Sequence, residues 1–179
     1  MLFHINLLLP INSMLYTFTN PSFKIISKHG FADVVENVVT KQKSLHAAKK
    51  FYKGEVVCLF SAGLTLSQAT YLTIQVNEHH HITLQPEFLQ YTNHSCSPSV
   101  FFNTTTFEII ALKNLNIGDE ITFFYPSTEW NMAQPFICYC NSKNCLQTIK
   151  GAAHLSKKIL SHYLLTDFIQ HQLKKRGSL

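Results

Sequence analysis

The sequence predicts a mainly β domain of several short strands and small sheets, followed by an α-helix. Short apolar segments recur at close intervals between turn signals such as Lys53-Gly54 and the stretch 114–118, a spacing typical of β-rich domains. From Leu155 onward the apolar residues instead recur every three or four positions, which indicates a helix. The chain has 179 residues, of which 46% are hydrophobic and 14% charged, so it can form one domain with a sizeable core.

Each predicted strand is a short run rich in β-branched and aromatic residues that ends at a turn signal. In chain order these runs are 23–26, 33–39, 55–60, 70–76, 81–84, 100–102, 107–112 and 120–124. One helical turn is predicted at 86–90. Three consecutive histidines at 79–81 lie between two of the strands. Because successive strand residues face opposite sides, these histidines cannot all bind one ion, and a polar hairpin tip is favoured.

The predicted carboxy-terminal helix carries one apolar stripe. Its members are Ile159, Leu160, Tyr163, Leu164, Phe168, Ile169 and Leu173. Basic residues at 174–176 suit the last turn of a helix, and Gly177 suits its end. We expect the stripe to pack on the domain, because a terminal amphipathic helix usually covers a core. Docking of a partner is the alternative.

The net charge of +5 does not by itself indicate nucleic-acid binding. Five lysines cluster between positions 41 and 53, but Arg176 is the only arginine, and recognition of phosphates or bases usually relies on arginine. A solvated face explains these lysines better, so nucleic acid is not an expected partner.

The amino-terminal stretch 1–10 is apolar but is expected to be neither a signal peptide nor a membrane anchor. It has no basic region before the apolar residues. It is also shorter than the roughly 20 residues that a membrane-spanning helix needs. The sequence therefore predicts an intracellular protein, cytoplasmic or nuclear, without a membrane partner.

The five cysteines favour metal binding over disulfides. Cys138, Cys140 and Cys145 lie on one short segment, whereas the disulfides of secreted domains are usually spread along the chain. Zinc takes four tetrahedral ligands, so these three thiolates are one short. Cys58 lies in an apolar run and is expected in the core, which leaves Cys96 as the remaining cysteine. Free thiols or a redox pair are the alternative.

Two further motifs carry polar groups suited to binding and catalysis. The stretch 91–98 contains Asn93 and His94, an adjacent pair that can bind an amino-carboxylate ligand through hydrogen bonds. A turn cap beside a core histidine is the alternative interpretation. The stretch 118–125 contains a predicted strand that delivers the hydroxyl of Tyr125 and is stopped by the next residue, a proline. The alternative for this tyrosine is an edge-strand position in the core.

The order of the motifs is specific. An Asn-His-Ser-Cys motif at 93–96, a Gly-Asp-Glu-Ile-Thr-Phe-Phe-Tyr motif at 118–125 and the cysteine cluster at 138–145 follow one another. Together they resemble the carboxy half of the SET-domain protein lysine methyltransferases, in which the cysteine cluster is the post-SET segment. The resemblance covers about residues 20–153 and is strongest over 91–145.

The resemblance implies a SET-like fold in which the segment around position 93 is threaded past the segment around position 125 as a pseudoknot. It implies S-adenosylmethionine as the methyl donor and one structural zinc ion. The residues that match the family's functional positions are Tyr125 for catalysis, then Asn93, His94, Ser44, Tyr125 and Phe136 for cofactor binding, then Phe123 and Tyr91 for the substrate channel, and Cys96, Cys138, Cys140 and Cys145 for zinc. Methyl transfer to an amine is a direct displacement by a neutral nitrogen in a dry cavity, so oriented acceptors and an aromatic channel are sufficient.

Phe123 predicts how many methyl groups are transferred. On a strand it lies on the same face as Tyr125, two residues later, so both rings can line the channel. In the family this position commonly holds phenylalanine or tyrosine and acts as a product switch. Phenylalanine has no hydroxyl to hold a water molecule against the nitrogen, so di- and trimethylation are expected. The alternative is an ordinary core aromatic.

Three positions depart from the family pattern. The usual Gly-x-Gly corresponds to the stretch 42–44, which has neither glycine. Ser44 is small enough for its backbone to approach a cofactor, whereas Gln42 needs space for its side chain. Asn141 stands where the cysteine loop usually has glycine, and asparagine tolerates the left-handed conformation. The missing glycines motivate an alternative, a catalytically inactive SET module that binds a protein or peptide. A zinc-stabilised nucleic-acid binder is a third hypothesis, motivated only by net charge.

The sequence thus predicts four segments: an amino-terminal extension at 1–19, a SET-like domain at 20–135, a post-SET zinc-binding segment at 136–153 and an amphipathic helix at 154–179. The predicted function is S-adenosylmethionine-dependent methylation of lysine side chains in a protein substrate, either a histone or a non-histone protein.

Overall fold

A computed structural model describes residues 23–177 of the chain. The predicted extension at 1–19, including its apolar start, lies outside the described residues. Within 23–177, no helix combines the length and the apolar character needed to cross a membrane.

Short strands dominate the described chain, which confirms the predicted mainly β class. They are β1 (Phe23–Lys28), β2 (Ala32–Asn37), β3 (Lys43–Ala47), β4 (Val56–Leu59), β5 (Ser61–Leu66), β6 (Thr73–Gln75), β7 (His81–Gln85), β8 (Asn93–His94), β9 (Val100–Asn103), β10 (Glu108–Ala111), β11 (Thr122–Phe123), β12 (Phe136–Ile137) and β13 (Thr148–Ile149). Two α-helices, α1 (Lys157–Leu160) and α2 (Asp167–Gly177), and three short 3-10 helices at Glu87–Tyr91, Tyr125–Ser127 and Ala152–His154 complete the described elements.

The strands form four small sheets. Their orders are β1-β2-β3, β4-β10-β9-β11-β8, β5-β7-β6 and β12-β13. Strand β2 is shorter than the run predicted at 33–39, because the Asn37 side chain ends it. The Oδ1 atom of Asn37 accepts hydrogen bonds from the backbone N–H groups of Val39 and Thr40, at 2.9 and 3.0 Å, and so turns the chain.

Strand β11 lies between β8 and β9 and runs parallel to both. Thr122 pairs with Asn93, while Phe123 pairs with His94 on one side and with Val100 on the other. Since β8 and β9 are consecutive along the chain, the later strand β11 is inserted between them, as the predicted pseudoknot requires. This insertion brings the motif at 93–96 beside the end of the motif at 118–125.

The main core lies between the first three sheets. Its fully buried members include Leu45 from β3, Phe102 from β9 and Leu89 from the first 3-10 helix. Cys58 packs against this core, half-buried, as expected. Burial raises the pKa of its thiol to about 12, so this thiol stays protonated.

The single carboxy-terminal helix predicted from Leu155 is wrong, because α1 and α2 are separated by a turn at 161–166. In this turn the Tyr163 ring stacks on Phe124, with centroids 3.7 Å apart and planes 6° from parallel. Thr166 donates its hydroxyl hydrogen to the carbonyl oxygen of Ser127 at 3.0 Å. These contacts to the preceding domain hold the turn where the apolar period alone would continue a helix.

The apolar residues of this carboxy-terminal segment nevertheless pack on the domain, as expected. Leu160 of α1 and Ile169 of α2 are buried together with Phe124 and Ala152 in a second core. Leu164, which the stripe also included, is exposed.

Candidate functional site

His94 is the centre of the candidate site. Its Nδ1 accepts a hydrogen bond from the backbone N–H of Tyr125 at 3.2 Å, so its Nε2 carries the proton and donates to Cys96 Sγ at 3.3 Å. The imidazole also contacts the rings of Phe124 and Phe136. Burial lowers the pKa of His94 to about 4, so the ring is neutral near pH 7. One neutral imidazole therefore connects Tyr125 to the cysteine cluster.

Asn93 joins three segments at the edge of the site. Its side-chain Nδ2 donates to the carbonyl oxygen of Lys43 at 3.2 Å and to Glu120 Oε1 at 3.0 Å. The amide therefore ties β8 to β3 and to the residues before β11.

Strand β11 ends at Phe123, earlier than predicted, and Tyr125 begins a 3-10 helix one residue further on, after Phe124. Its hydroxyl donates to the carbonyl oxygen of Thr92 at 3.2 Å, and its ring packs on Phe123 with centroids 4.6 Å apart. Burial, assisted by the carboxylates of Glu120 and Glu129, raises the pKa of Tyr125 to about 12. The hydroxyl is thus protonated, its hydrogen is engaged by Thr92, and its oxygen lone pairs remain able to accept a hydrogen bond.

Two cavities meet at Tyr125 and Phe136, which line both. The first, here named the Asn93 cavity, has a volume of about 450 Å³ and is also lined by Gln42, Asn93, His94, Glu120, Cys138, Tyr139 and Cys140. The second, named the Glu129 cavity, has a volume of about 260 Å³ and is lined by Phe123, Glu129 and residues of the stretches 70–74, 84–92 and 132–136. Two separate ligands can therefore approach the same tyrosine.

Phe136 forms the aromatic wall between these cavities. Its ring packs edge-on against His94, with centroids 5.6 Å apart, and against Tyr125, with centroids 5.9 Å apart. It lies on β12, which pairs with β13, and the same small sheet leads into the cysteine segment. The sequence placed Phe136 in the wall of one channel, and the structure brings it to both.

The four cysteines outside the main core come together. The Sγ atoms of Cys96, Cys138, Cys140 and Cys145 all lie within 4.8 Å of one another, and none is in a disulfide. A tetrahedral zinc site with Zn–S bonds of about 2.3 Å requires S···S distances near 3.8 Å, so the cluster is compatible with zinc after small side-chain adjustments. Four thiolates would leave no open position, which fits a structural rather than a catalytic ion.

The surroundings of the cluster also suit thiolate ligands. The backbone N–H of Leu146 points to Cys96 Sγ at 3.4 Å, and that of Cys96 points to Cys140 Sγ at 3.5 Å. Hydrogen bonds of this kind orient ligands and stabilise their negative charge. Asn141 has a φ of 54°, which confirms that asparagine adopts the left-handed conformation in this loop.

Two of the residues predicted for cofactor binding and the substrate channel lie outside both cavity linings. Ser44 is buried in β3, where its hydroxyl is hydrogen-bonded to His46 Nε2 at 2.9 Å. Tyr91 packs against the main core with Lys43 Nζ 5.0 Å from its ring centroid. Their roles in cofactor binding and in the substrate channel stay predictions.

Sequence reasoning missed three polar residues that line the cavities. Gln42 and Glu120 line the Asn93 cavity, and Glu129 lines the other. Gln42 holds the first glycine position of the missing Gly-x-Gly, and Glu120 is inside a recognised motif, so both carried a signal. Glu129 carried a weaker one, since it is the only acidic residue between Glu120 and the cysteine cluster.

Comparison with known proteins gives two sequence relationships of different extent. The family model described as SET domain matches residues 42–126. Methyltransferase flvH of Aspergillus flavus is 35% identical over 155 residues, which are 86% of this chain and 86% of that protein. The histone-lysine N-methyltransferase, H3 lysine-36 specific, of Saccharomyces cerevisiae is 30% identical over 87 residues, which are 45% of this chain but 12% of that protein.

Among solved structures, that of KRYPTONITE in complex with mCHG DNA and SAH matches with a TM-score of 0.48 and 18% sequence identity. The match covers 62% of this chain and 27% of that one, so the described chain spans about a quarter of the larger protein.

Proposed function

This chain belongs to the SET-domain family, and on that premise we propose that it transfers a methyl group from S-adenosylmethionine to a lysine side chain of a protein substrate. The position of Tyr125 in the lining of both cavities carries the proposal. Donor and acceptor must be held separately yet reach one point, because methyl transfer is an in-line displacement that depends on orientation.

The Asn93 cavity is the proposed cofactor site. Its volume of about 450 Å³ lies in the usual range for small-molecule sites. The amide oxygen of Asn93 and the carboxylate of Glu120 can accept hydrogen bonds from the amino end of the ligand, whereas His94, whose two ring nitrogens are already hydrogen-bonded, contributes a neutral ring to the wall. Phe136 offers an aromatic face for the purine ring. S-adenosylmethionine would supply the electrophilic sulfonium methyl.

The Glu129 cavity is the proposed acceptor site. Phe123, Tyr125 and Phe136 give it aromatic walls, which exclude water around the reacting nitrogen. Tyr125 keeps a neutral hydroxyl whose hydrogen is engaged by Thr92, so its lone pairs can orient the N–H groups of the amine. The neutral nitrogen would form a bond to the methyl carbon of the donor as the carbon–sulfur bond breaks, with the electron pair of that bond left on the sulfur. Phe123 beside Tyr125 supports di- or trimethylation, because phenylalanine has no hydroxyl to hold a water molecule against the reacting nitrogen.

A lysine acceptor in a protein is supported by the yeast relative, whose name specifies lysine 36 of histone H3. That similarity covers less than half of this chain, so both histone and non-histone substrates belong to the proposal. An intracellular location, cytoplasmic or nuclear, belongs to it as well.

We also propose that the cysteine cluster holds one structural zinc ion. The ion would fix Cys96, two residues after His94, to the segment that follows Phe136. Because His94 also accepts from Tyr125, metal binding would stabilise the geometry at the meeting point of the cavities.

A catalytically inactive SET module that binds a protein or peptide is the competing function. The Gln42 side chain, which lines the proposed cofactor cavity where the family usually has glycine, favours it. Binding of S-adenosylmethionine, measured by calorimetry, distinguishes the two hypotheses, because an active enzyme must bind its donor.

Mass spectrometry of candidate proteins incubated with isotopically labelled S-adenosylmethionine tests the proposed reaction. Labelled methyl-lysine that is absent with the Tyr125→Phe variant supports it. Donor binding without methyl transfer to histones or to proteins of a cell extract would favour the inactive module.

A further inference from the structure

Glu129 is a buried carboxyl group to which the proposed reaction gives no role. Its side chain is 6% exposed, although ionised carboxylates are rarely buried unless they are paired. The two salt bridges among the described residues involve Glu36 and Glu78, so no lysine or arginine within 23–177 pairs with Glu129.

Among the described residues, one oxygen of the Glu129 carboxyl accepts hydrogen bonds and the other accepts none. Oε1 accepts hydrogen bonds from the backbone N–H of Gln75 at 2.7 Å and from the Thr128 hydroxyl at 3.3 Å. Both hydrogen bonds thus end on the same atom, and Oε2 has no partner among the described residues. The anchored Oε1 fixes the orientation of the group, while Oε2 remains available to a ligand.

The charge of the Glu129 cavity is set by this one group. Its lining residues, all in the described part of the chain, include no lysine, arginine, histidine or aspartate, and Glu129 is the single acidic one. The remaining lining is apolar or neutral and includes the aromatic rings of Phe123, Tyr125 and Phe136. An apolar cavity with one buried carboxylate is complementary to an alkyl chain that ends in a cation.

We propose that Glu129 is a specificity-determining residue that binds the acceptor as its cationic ammonium ion in this cavity, before the nitrogen loses a proton to water and reacts as the neutral amine. The proposal rests on the proposed function for its choice of acceptor, and it narrows that function to primary and methylated amines on an unbranched alkyl chain. A neutral group of the same size, such as an alcohol or an amide, would leave the carboxylate without a counter-ion and would bind more weakly.

The affinity of the Glu129 cavity for a cation should decrease as the pH is lowered. Burial raises the pKa of Glu129 to about 7, opposed by its hydrogen bonds to Gln75 and Thr128. The titratable groups beside it in the cavity are the hydroxyls of Tyr71 and Tyr125. Arg176 lies against the neighbouring Trp130 ring but donates to backbone carbonyls of the stretch 152–155. Since the carboxylate is the binding form, affinity for an ammonium ion is lost as the pH falls through about 7.

The experiment uses n-butylammonium chloride as the probe and n-butanol as its neutral counterpart, titrated into the zinc-loaded full chain and followed by amide chemical shifts. Wild type should bind the ammonium ion more tightly than the alcohol, and this preference should fall between pH 8 and pH 6. Glu129→Gln keeps the shape and one acceptor oxygen, and it should weaken ammonium binding about tenfold or more while leaving alcohol binding unchanged.

Two variants control for general effects. Glu78→Gln removes the same charge from an exposed position and should leave both affinities unchanged. Glu129→Asp keeps a carboxylate and should retain a preference for the ammonium ion. Equal affinity of wild type for the two probes at pH 8, or an unchanged ammonium affinity in Glu129→Gln, would overturn the proposal. The wild-type comparison decides the matter even where the glutamine variant does not fold.

Failure of this inference is distinguishable from failure of the proposed function. Methyl transfer with an unaltered KM in Glu129→Gln overturns the role of Glu129 and leaves the enzyme in place. Ammonium selectivity in a protein that transfers no methyl group supports the role of Glu129 and overturns the catalytic proposal.

Discussion

Replacement of Tyr125 by phenylalanine should separate catalysis from stability. The change removes one hydroxyl and keeps the ring, whose contacts with Phe123, His94 and Phe136 persist. The lost hydrogen bond to the Thr92 carbonyl oxygen, 3.2 Å long and buried, should lower the free energy of unfolding by about 1 kcal/mol. Loss of a positioned polar group at the reacting centre typically costs about 100- to 1,000-fold in turnover.

The expected loss of stability is too small to explain the expected loss of turnover. A domain stable by about 5 kcal/mol or more remains almost fully folded after a loss of 1 kcal/mol, so unfolding cannot account for a hundredfold loss of turnover. Single-turnover methyl transfer gives the rate, urea unfolding gives the stability, and calorimetry shows whether S-adenosylmethionine still binds. Tyr71→Phe is the matched control, since this tyrosine lines the same cavity but is exposed. A Tyr125→Phe rate within about threefold of wild type would refute the assignment of the hydroxyl, because the expected loss is at least hundredfold.

Three further changes test the rest of the site. Cys140→Ser should remove the single zinc ion measured by elemental analysis, whereas Cys58→Ser should keep it, and an equal metal content in both would contradict the ligand set. Phe123→Tyr should shift the product from di- or trimethyl-lysine toward monomethyl-lysine in mass spectra, since the added hydroxyl can hold a water molecule against the nitrogen; an unchanged distribution would favour a simple core role. Asn93→Ala should weaken S-adenosylmethionine binding about tenfold in calorimetry, because it removes from the cavity wall the amide oxygen that can accept a hydrogen bond from the ligand, and unaltered affinity would remove Asn93 from the cofactor site.

Residues that are near in sequence and chemically distinctive could be identified without a structure. The cysteine cluster is an example, because three thiols on one segment and a fourth in a polar motif already specify a metal-binding group. Asn93 and Tyr125 were predicted for a similar reason, since each belongs to a motif with a recognised order, and both line the Asn93 cavity.

Features that depend on packing between distant segments could not be obtained in this way. Apolar periodicity predicted one helix after Leu155, but it contains no information on Tyr163 stacking against Phe124 or on Thr166 bonding to Ser127. Strand β5 was missed because its small and polar residues do not alternate, and its pairing with β7 comes from the register of the sheet.

The polar residues of the cavities show the same limit. Glu129 is one acidic residue in an otherwise neutral stretch, and only its burial against Gln75 distinguishes it from a surface glutamate. The backbone of Ser44 was expected to approach the cofactor because the residue is small; its hydroxyl is bonded to His46 inside β3, and its role stays a prediction.

A chain that grows from its amino end acquires this site late in its synthesis. Strands β8 and β9 leave the ribosome before β11, the strand that separates them, and the wall formed by Phe136 follows later. Cys96 is synthesised before the cysteines at 138–145 that lie beside it in the folded protein. Its carbonyl oxygen accepts a hydrogen bond from the hydroxyl of Tyr163, at 2.9 Å, and Tyr163 is synthesised later still. A nascent chain that has reached Tyr125 therefore carries its hydroxyl but not yet the segments that complete the lining of the two cavities.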